Sequence, residues 1–477
     1  MYKGLDKKIS HLSFFLFLFA LLLFVWSLWK RVIHVDDAWL AEYSYFYNIY
    51  GYVKSEAMRG FLGAENKLYV YHKILAVEGA WLIHWFGFRP YVLKALSLVY
   101  LLPSLWLVHR LYLRHSLEKK NAWLLAALFL SFFHIVNLSF TFRPEMQLLC
   151  WGLLSYLLLE SYSEQHKRVF LLLSAFLAGW TVAVHLNGLI YVGTGVLWLA
   201  WRRRFKDSFL YGVIGSWGLF FYFLFDAHSG AELQASWQQL RQWRDVSTAD
   251  YGWSLLIRLL EEQGRFLHSP AEMVYTFYLL LLLIPARKML WRQHKGLVVY
   301  TGILTFCLAE LSHGKNTNYL LYGFPFFLVL GLSSFEELLK KERRTLAWTA
   351  VGVFLVGSWT TSLKTFYKRE EMFAEYAQVA ATLPESARLL GPIYYIFHKT
   401  PHQNLQNFIH LRDQVEAGLF TASPELLFEK AEEFGNSYVI LDVSNENFFK
   451  VEGEAYGNYI LAPEQPSPHL KIFKLRN

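Results

Sequence analysis

Residues 11–39 read HLSFFLFLFALLLFVWSLWKRVIHVDDAW. The run from 11 to 29 is apolar and about as long as the roughly 20 residues a bilayer crossing needs. Lys7 and Lys8 precede it, as they would in a secretory signal, but the run ends in Trp-Ser-Leu-Trp-Lys-Arg with no small-x-small cleavage site. An uncleaved first span is therefore expected. Asp36 and Asp37 follow it side by side. A carboxylate pair at a membrane surface is costly to desolvate and usually has a task or a partner. The plainer reading is a helix cap, since an aspartate ahead of the amphipathic stretch 38–50 would serve that stretch well.

Working outward, the same pattern recurs along the chain. Apolar runs at 91–109, 121–139, 145–162, 169–184, 187–201, 208–226, 271–286, 296–311, 319–335 and 346–363 predict ten further spans, eleven in all. Several are short, so one or two helices are expected to be broken or tilted. The composition agrees: 55% of the 477 residues are hydrophobic and 18% charged, against roughly 25% charged in soluble domains. The net charge of +8 does not point to nucleic acid, because the basic residues sit at the ends of apolar runs in alternate loops. One set of loops carries Lys7 and Lys8, Arg110 and Arg114, Arg202 to Arg204, Arg287 and Lys288, and Lys340 and Lys341. The opposite short loops carry little beyond Arg143 and Lys315. The bias places the N-terminus in the cytoplasm and, after eleven spans, the C-terminal region outside.

Two connections on that outer side are long, 30–90 and about 227–270. In the first, 38–50 and 74–85 read as amphipathic helices lying in the interface. The expected organisation is a transmembrane unit at 1–363 and a soluble extracytoplasmic α/β domain at 364–477. The latter has helices near 370–382 and 424–434 and strands at 438–441 and 470–475. Cys150 and Cys307 both fall inside apolar runs and give neither a disulfide framework nor metal spacing.

The residues that could carry chemistry lie on the same side. Tyr69-Val-Tyr-His72-Lys73 follows Arg59, and such cations beside an interfacial helix suit a phosphate headgroup or ordinary anionic lipid. Arg143 precedes Pro144 and Glu145 at the head of the fourth span, placed either to bind an anion or to snorkel. Ser312-His313-Gly-Lys315-Asn-Thr-Asn-Tyr319 is short and highly polar, and Lys315 runs against the charge bias, as a cation meeting an anion would. His185 and Asn187 close a tight turn and could line the same cavity, although a structural role fits them too. Glu310 could pair with Lys315, and His134 reads as a satisfied interior histidine. No glycine-rich phosphate loop, HExxH or Gly-x-Ser-x-Gly element occurs. Chemistry confined to the outer face argues against an ATP-driven enzyme.

In their order these features resemble the GT-C glycosyltransferases, specifically the superfamily of protein mannosyltransferases and lipid A aminoarabinose transferases. The resemblance rests on Asp36-Asp37 after the first span, then Tyr69 and His72, Phe86-Gly87, Lys94 opening the second span, and Lys315, Tyr319, Leu320 and Pro325. The chain departs from that family where Asp37 replaces a usual glutamate, Lys94 a common arginine and Lys73 part of a common Pro-Pro pair. The resemblance implies a polyprenyl-phosphate sugar donor and an envelope lipid, glycan or protein acceptor, on the outer face of the plasma membrane. It implies Asp36 as general base with Asp37 assisting, and Lys315, Arg143, Arg59 and His72 on the donor phosphate. His34, Tyr69, His185, Asn187, His313 and Tyr319 would line the cavity. No cofactor is required, although a divalent metal on His34, Asp36 and Asp37 is an alternative. A flippase, an oligosaccharide ligase or polymerase, and a scaffold are the competing readings.

Overall fold

The structure is a computed structural model. It describes residues 2–116, 121–242, 254–312, 316–367, 373–398, 404–408, 411–412, 415, 420–442 and 447–476. His313 and Lys315, two of the expected site residues, lie outside the described residues.

The helices run in this order: α1 Tyr2–Lys30, α2 Val35–Tyr50, α3 Lys73–Phe86, α4 Pro90–His115, α5 Ala122–Ser131, α6 Phe133–Leu138, α7 Glu145–Gln165, α8 Arg168–Val184, α9 Leu189–Trp201, α10 Phe205–Gly215, α11 Trp217–Leu224 and α12 Gly230–Gln242. Then follow α13 Ser254–Leu267, α14 Pro270–Gln293, α15 Lys295–Leu311, α16 Leu320–Lys340, α17 Arg344–Tyr367, α18 Phe373–Thr382 and α19 Pro424–Glu433. Among the described residues, five segments are long and apolar enough to cross a membrane: Ser10–Lys30, Pro90–His115, Pro270–Gln293, Thr317–Lys340 and Arg344–Tyr367. Ala122–Ser131, Arg168–Val184 and Leu186–Trp201 are apolar but shorter.

The run expected to cross at 121–139 is broken. Phe132 is extended (φ −62°, ψ 122°) between α5 and α6. Its ring stacks on Phe324 at 3.9 Å, and the break lets His134 meet Glu272 at 3.0 Å. The run at 208–226 is likewise divided at Ser216 into α10 and α11. A single large core joins the helices around Tyr112, Phe129, Tyr156, Phe324 and Phe354.

The long connection between α1 and α4 folds onto the end of this bundle. α2 and α3 cross where Gly79 meets Ser44 and Phe142, a contact with no room for a Cβ. α2 buries Glu42, which accepts hydrogen bonds from Ser55 Oγ (2.6 Å) and Ala57 N (2.9 Å) and so staples the loop after the helix. α12, in the second long connection, locks onto the first. Gln239 takes Tyr69 N at 2.8 Å and donates to the Lys67 carbonyl at 3.0 Å, and Lys67 pairs with Glu232 at 2.6 Å. Beneath them Lys73 and Asp226 form a buried ion pair, and the Tyr71 hydroxyl donates to Asp226 at 2.7 Å. α3 turns Trp81, Trp85 and Phe86 outward, each more than half exposed, as a helix lying against lipid would.

Six strands form one mixed sheet after α18, with α19 between the second and the third: β1 Leu389–Gly391, β2 Leu405–Asn407, β3 Tyr438–Asp442, β4 Ala455–Tyr456, β5 Tyr459–Leu461 and β6 Leu470–Leu475. Their order is β2-β1-β3-β6-β5-β4, with β1 parallel to β2 and β3 and the other pairs antiparallel. β2 is an edge, and a bare edge exposes unpaired amides and carbonyls. Here Asn407 N donates to the Ala57 carbonyl (3.0 Å) and Gln406 Nε2 to the Arg59 carbonyl (3.1 Å), so the first long connection covers that edge.

Candidate active site

His34 caps α2. Its Nδ1 accepts from Asp36 N (3.2 Å), while the Asp37 carboxylate takes His34 N (2.7 Å), a reciprocal capping box. The other Asp37 oxygen takes Phe142 N at 2.5 Å, and Lys94 Nζ lies 3.6 Å away. Asp37 is thus fully buried and ties together α2, α4 and the loop before α7. Burial raises its pKa; Lys94 and the two backbone amides oppose this, and the net shift is upward.

Adjacent helix positions point roughly 100° apart. Asp36 consequently faces a cavity of about 580 Å³. There it pairs with Arg143, whose Nε also donates to both Glu145 oxygens at 2.9 and 3.0 Å. Burial would raise the Asp36 pKa, but Arg143 and His34 outweigh it and hold the carboxyl well below its usual range.

The far wall carries two histidines. His72, at the head of α3, stacks on His185, in the turn between α8 and α9, at 4.5 Å and 25°. Burial is the main reason both rings stay neutral: His72 is held well below its usual pKa and His185 is brought down to about 4. His185 Nδ1 accepts from Asn187 N at 2.9 Å, which leaves the neutral ring its proton on Nε2. Asn187, Asn316 and Tyr319 complete that side. The segment bearing Asn316 and Tyr319 is held by Arg265, fully buried, which pairs with Glu262 (2.7 Å) and donates to Ser312 Oγ (3.2 Å) and the Asn316 carbonyl.

Of the residues singled out from the sequence, Asp36, His72, Arg143, His185, Asn187 and Tyr319 border this one cavity. Six are placed elsewhere. Asp37 is enclosed by the contacts above, and His34 acts as the cap. The Tyr69 hydroxyl points to Glu232 (3.4 Å). Arg59 pairs with Glu56 (2.7 Å) beside the strand edge, because its neighbours there are the acid and the sheet. Glu310 is matched with Arg258 at 3.4 Å. His134 is likewise away from it, with Nε2 lying 3.0 Å from Glu272 and Nδ1 3.3 Å from Asn318 Oδ1. Sequence reading passed over Trp39, Tyr43, Tyr222 and Arg412, which also line the cavity, and it gave Glu145 no part. Arg412 comes from the region of the sheet, more than 370 residues from Asp36 in sequence.

His34, Asp36 and Asp37 do not converge as a metal site. Asp37 is committed to backbone amides and Lys94, and Asp36 to Arg143. Among the described residues no group of three His, Cys, Asp or Glu side chains is arranged to hold an ion.

This architecture, a helical bundle bearing long folded connections and a terminal mixed sheet, is shared with the solved structures of ArnT and AglB. ArnT from Cupriavidus metallidurans in the apo state superposes with a TM-score of 0.58 at 12% identity, over 96% of this chain and 97% of that one. ArnT bound to undecaprenyl phosphate gives 0.56 at 12% identity, with the same coverage of both chains. The oligosaccharyltransferase AglB from Archaeoglobus fulgidus, in complex with an inhibitory peptide and a dolichol-phosphate, gives 0.57 at 11% identity, over 93% of this chain and 70% of that one. No family model and no curated protein matches the sequence. At such identities the likeness is one of fold.

Proposed function

We propose that the protein is a membrane glycosyltransferase that moves a sugar from a polyprenyl-phosphate donor to an envelope lipid, glycan or protein acceptor, with inversion. The observation that carries the reading is the Asp36–Arg143 pair on the cavity wall, contributed by segments 107 residues apart. Asp36 takes the proton of the acceptor hydroxyl, whose oxygen attacks the anomeric carbon. The bond from that carbon to the phosphate oxygen breaks, and its electron pair leaves with the polyprenyl phosphate. Arg143 meets the charge that grows there, which is where a preorganised cation has most effect. Neutral His72 and His185 supply hydrogen bonds to the same phosphate, with His185 donating from Nε2. We assign Lys315 to the phosphate as well, on its position between Ser312 and Asn316. Asp37 and His34 act by holding the start of α2.

ArnT and AglB are solved with undecaprenyl phosphate and dolichol-phosphate, and such ligands suit a cavity with this balance of charge. In this reading the eleven apolar runs are crossings, including those broken at Phe132 and Ser216. The charge bias of the loops puts the cavity and the sheet outside a plasma membrane whose inner face meets the N-terminus. Mass spectrometry of envelope lipids and glycans tests the proposal. Cells with the protein should carry one sugar mass that cells without it lack. Asp36→Asn should lose that mass while the protein still inserts. Retention of the sugar in Asp36→Asn defeats the assignment.

A further inference from the structure

Arg143 stands between two carboxylates that hold it differently. Glu145 takes the Nε side of the fork with both oxygens, at 2.9 and 3.0 Å, and also accepts from Nη2. It is 2% exposed and fixed as the first residue of α7. Asp36 takes Nη1 alone, and its side chain is 33% exposed at the cavity wall. A guanidinium has five N–H groups in a rigid fork that matches a phosphate. The anchored side is therefore Glu145, and the exchangeable side faces the cavity.

We propose that Arg143 is a latch: held by Glu145, it passes its Nη1 end from Asp36 to the donor phosphate, so that donor binding frees the carboxylate that takes the acceptor proton. The inference rests on the transferase reading above. Without donor, Asp36 Oδ2 is committed to Arg143 and makes a weak base. The donor's phosphodiester carries one negative charge and competes for the same N–H. When the bond to the sugar breaks, that phosphate gains a second charge and Arg143 grips it more strongly than in the ground state, which is the requirement for catalysis. Once polyprenyl phosphate departs, Asp36 gives its proton to water and Arg143 returns to it. Glu145 is then a positioning residue, acting through Arg143, and donor binds before acceptor.

The latch makes isosteric variants at the two carboxylates behave oppositely. The probe is undecaprenyl phosphate binding to the full-length protein in detergent, with undecaprenol as the phosphate-free control. Asp36→Asn removes the competitor for Nη1 and should tighten undecaprenyl phosphate binding about tenfold, the scale of one charge-assisted hydrogen bond. Glu145→Gln removes an equal charge but loosens the anchor, and should weaken binding. Undecaprenol should bind alike to all three proteins. An Asp36→Asn protein that binds no tighter than wild type overturns the latch, and so does equal tightening in both variants, which reports charge alone. Should Glu145→Gln fail to fold, the Arg143→Gln background serves. There Asp36→Asn should change affinity by less than about twofold, and an undiminished gain overturns the proposal. Transfer retained in Asp36→Asn sinks the transferase reading, whereas transfer lost with unchanged affinity sinks only the latch.

Discussion

Asp36 and Asp37 are neighbours in sequence with opposite fates, decided by the turn of one helix. Asp37→Asn should act on stability. It leaves Lys94 without the carboxylate beside it and turns one of the two amide-accepting oxygens into an NH2 group, so the melting temperature in detergent should fall markedly. Undecaprenyl phosphate binding, measured below that temperature, should survive; unchanged melting would show that the enclosure of Asp37 is inert. Glu42 gives a second test through pH. Burial raises its pKa from 4.5 to about 7, against the hydrogen bonds from Ser55 and Ala57. Between those values the folded state keeps a proton that the unfolded chain has lost. Raising the pH through that window therefore removes stability. Glu42→Gln cannot titrate, so its melting temperature should fall less than that of wild type between pH 5 and pH 8. Parallel pH profiles for the two proteins would refute this account of Glu42.

At the scale of elements, the Lys73–Asp226 pair is the buried member of the contacts that join the two long connections. Removing one member of a buried pair strands the other charge and costs about 3–5 kcal/mol. Lys73→Met should accordingly lower the melting temperature strongly, and Lys73→Met with Asp226→Leu should recover much of the loss. A double variant no better than the single one would show that the pair is not what joins α3 to the segment ahead of α12. The physical character of these contacts also explains what sequence reading reached. Helices over 38–50 and 74–85 were legible because their apolar residues recur at helical spacing, and α2 and α3 follow them. Lys73–Asp226 and Arg265–Asn316 have no such signature, since their partners are 153 and 51 residues apart. Glu145 looks like an ordinary acid in a first helical turn. The extended Phe132 is hidden inside a run that is apolar on both sides, and strands of two or three residues, such as β2 and β4, are too short to alternate.

At the scale of the whole molecule, the sheet and the cavity are joined by a continuous chain of contacts. α2 carries both Asp36 and Glu42; Glu42 holds the loop at Ser55 and Ala57; that loop covers the edge of β2; and Arg412, a few residues beyond β2, lines the cavity that Asp36 faces. Gly60, in the left-handed region at φ 84°, packs its Cα against the Phe434 ring and leaves no room for a side chain, which keeps the seam tight. Asn407→Pro tests whether the seam matters, because proline removes the amide that reaches the Ala57 carbonyl and spares the helical bundle. The variant should insert normally. Trypsin should then cut at Lys54, Arg59 or Lys67, each now half-buried, several times faster than in wild type, and sugar transfer should fall together with that protection. Equal cleavage rates would mean that the sheet edge is only decorated by the loop. Faster cleavage with full transfer would mean that the sheet braces the fold while the cavity works without it.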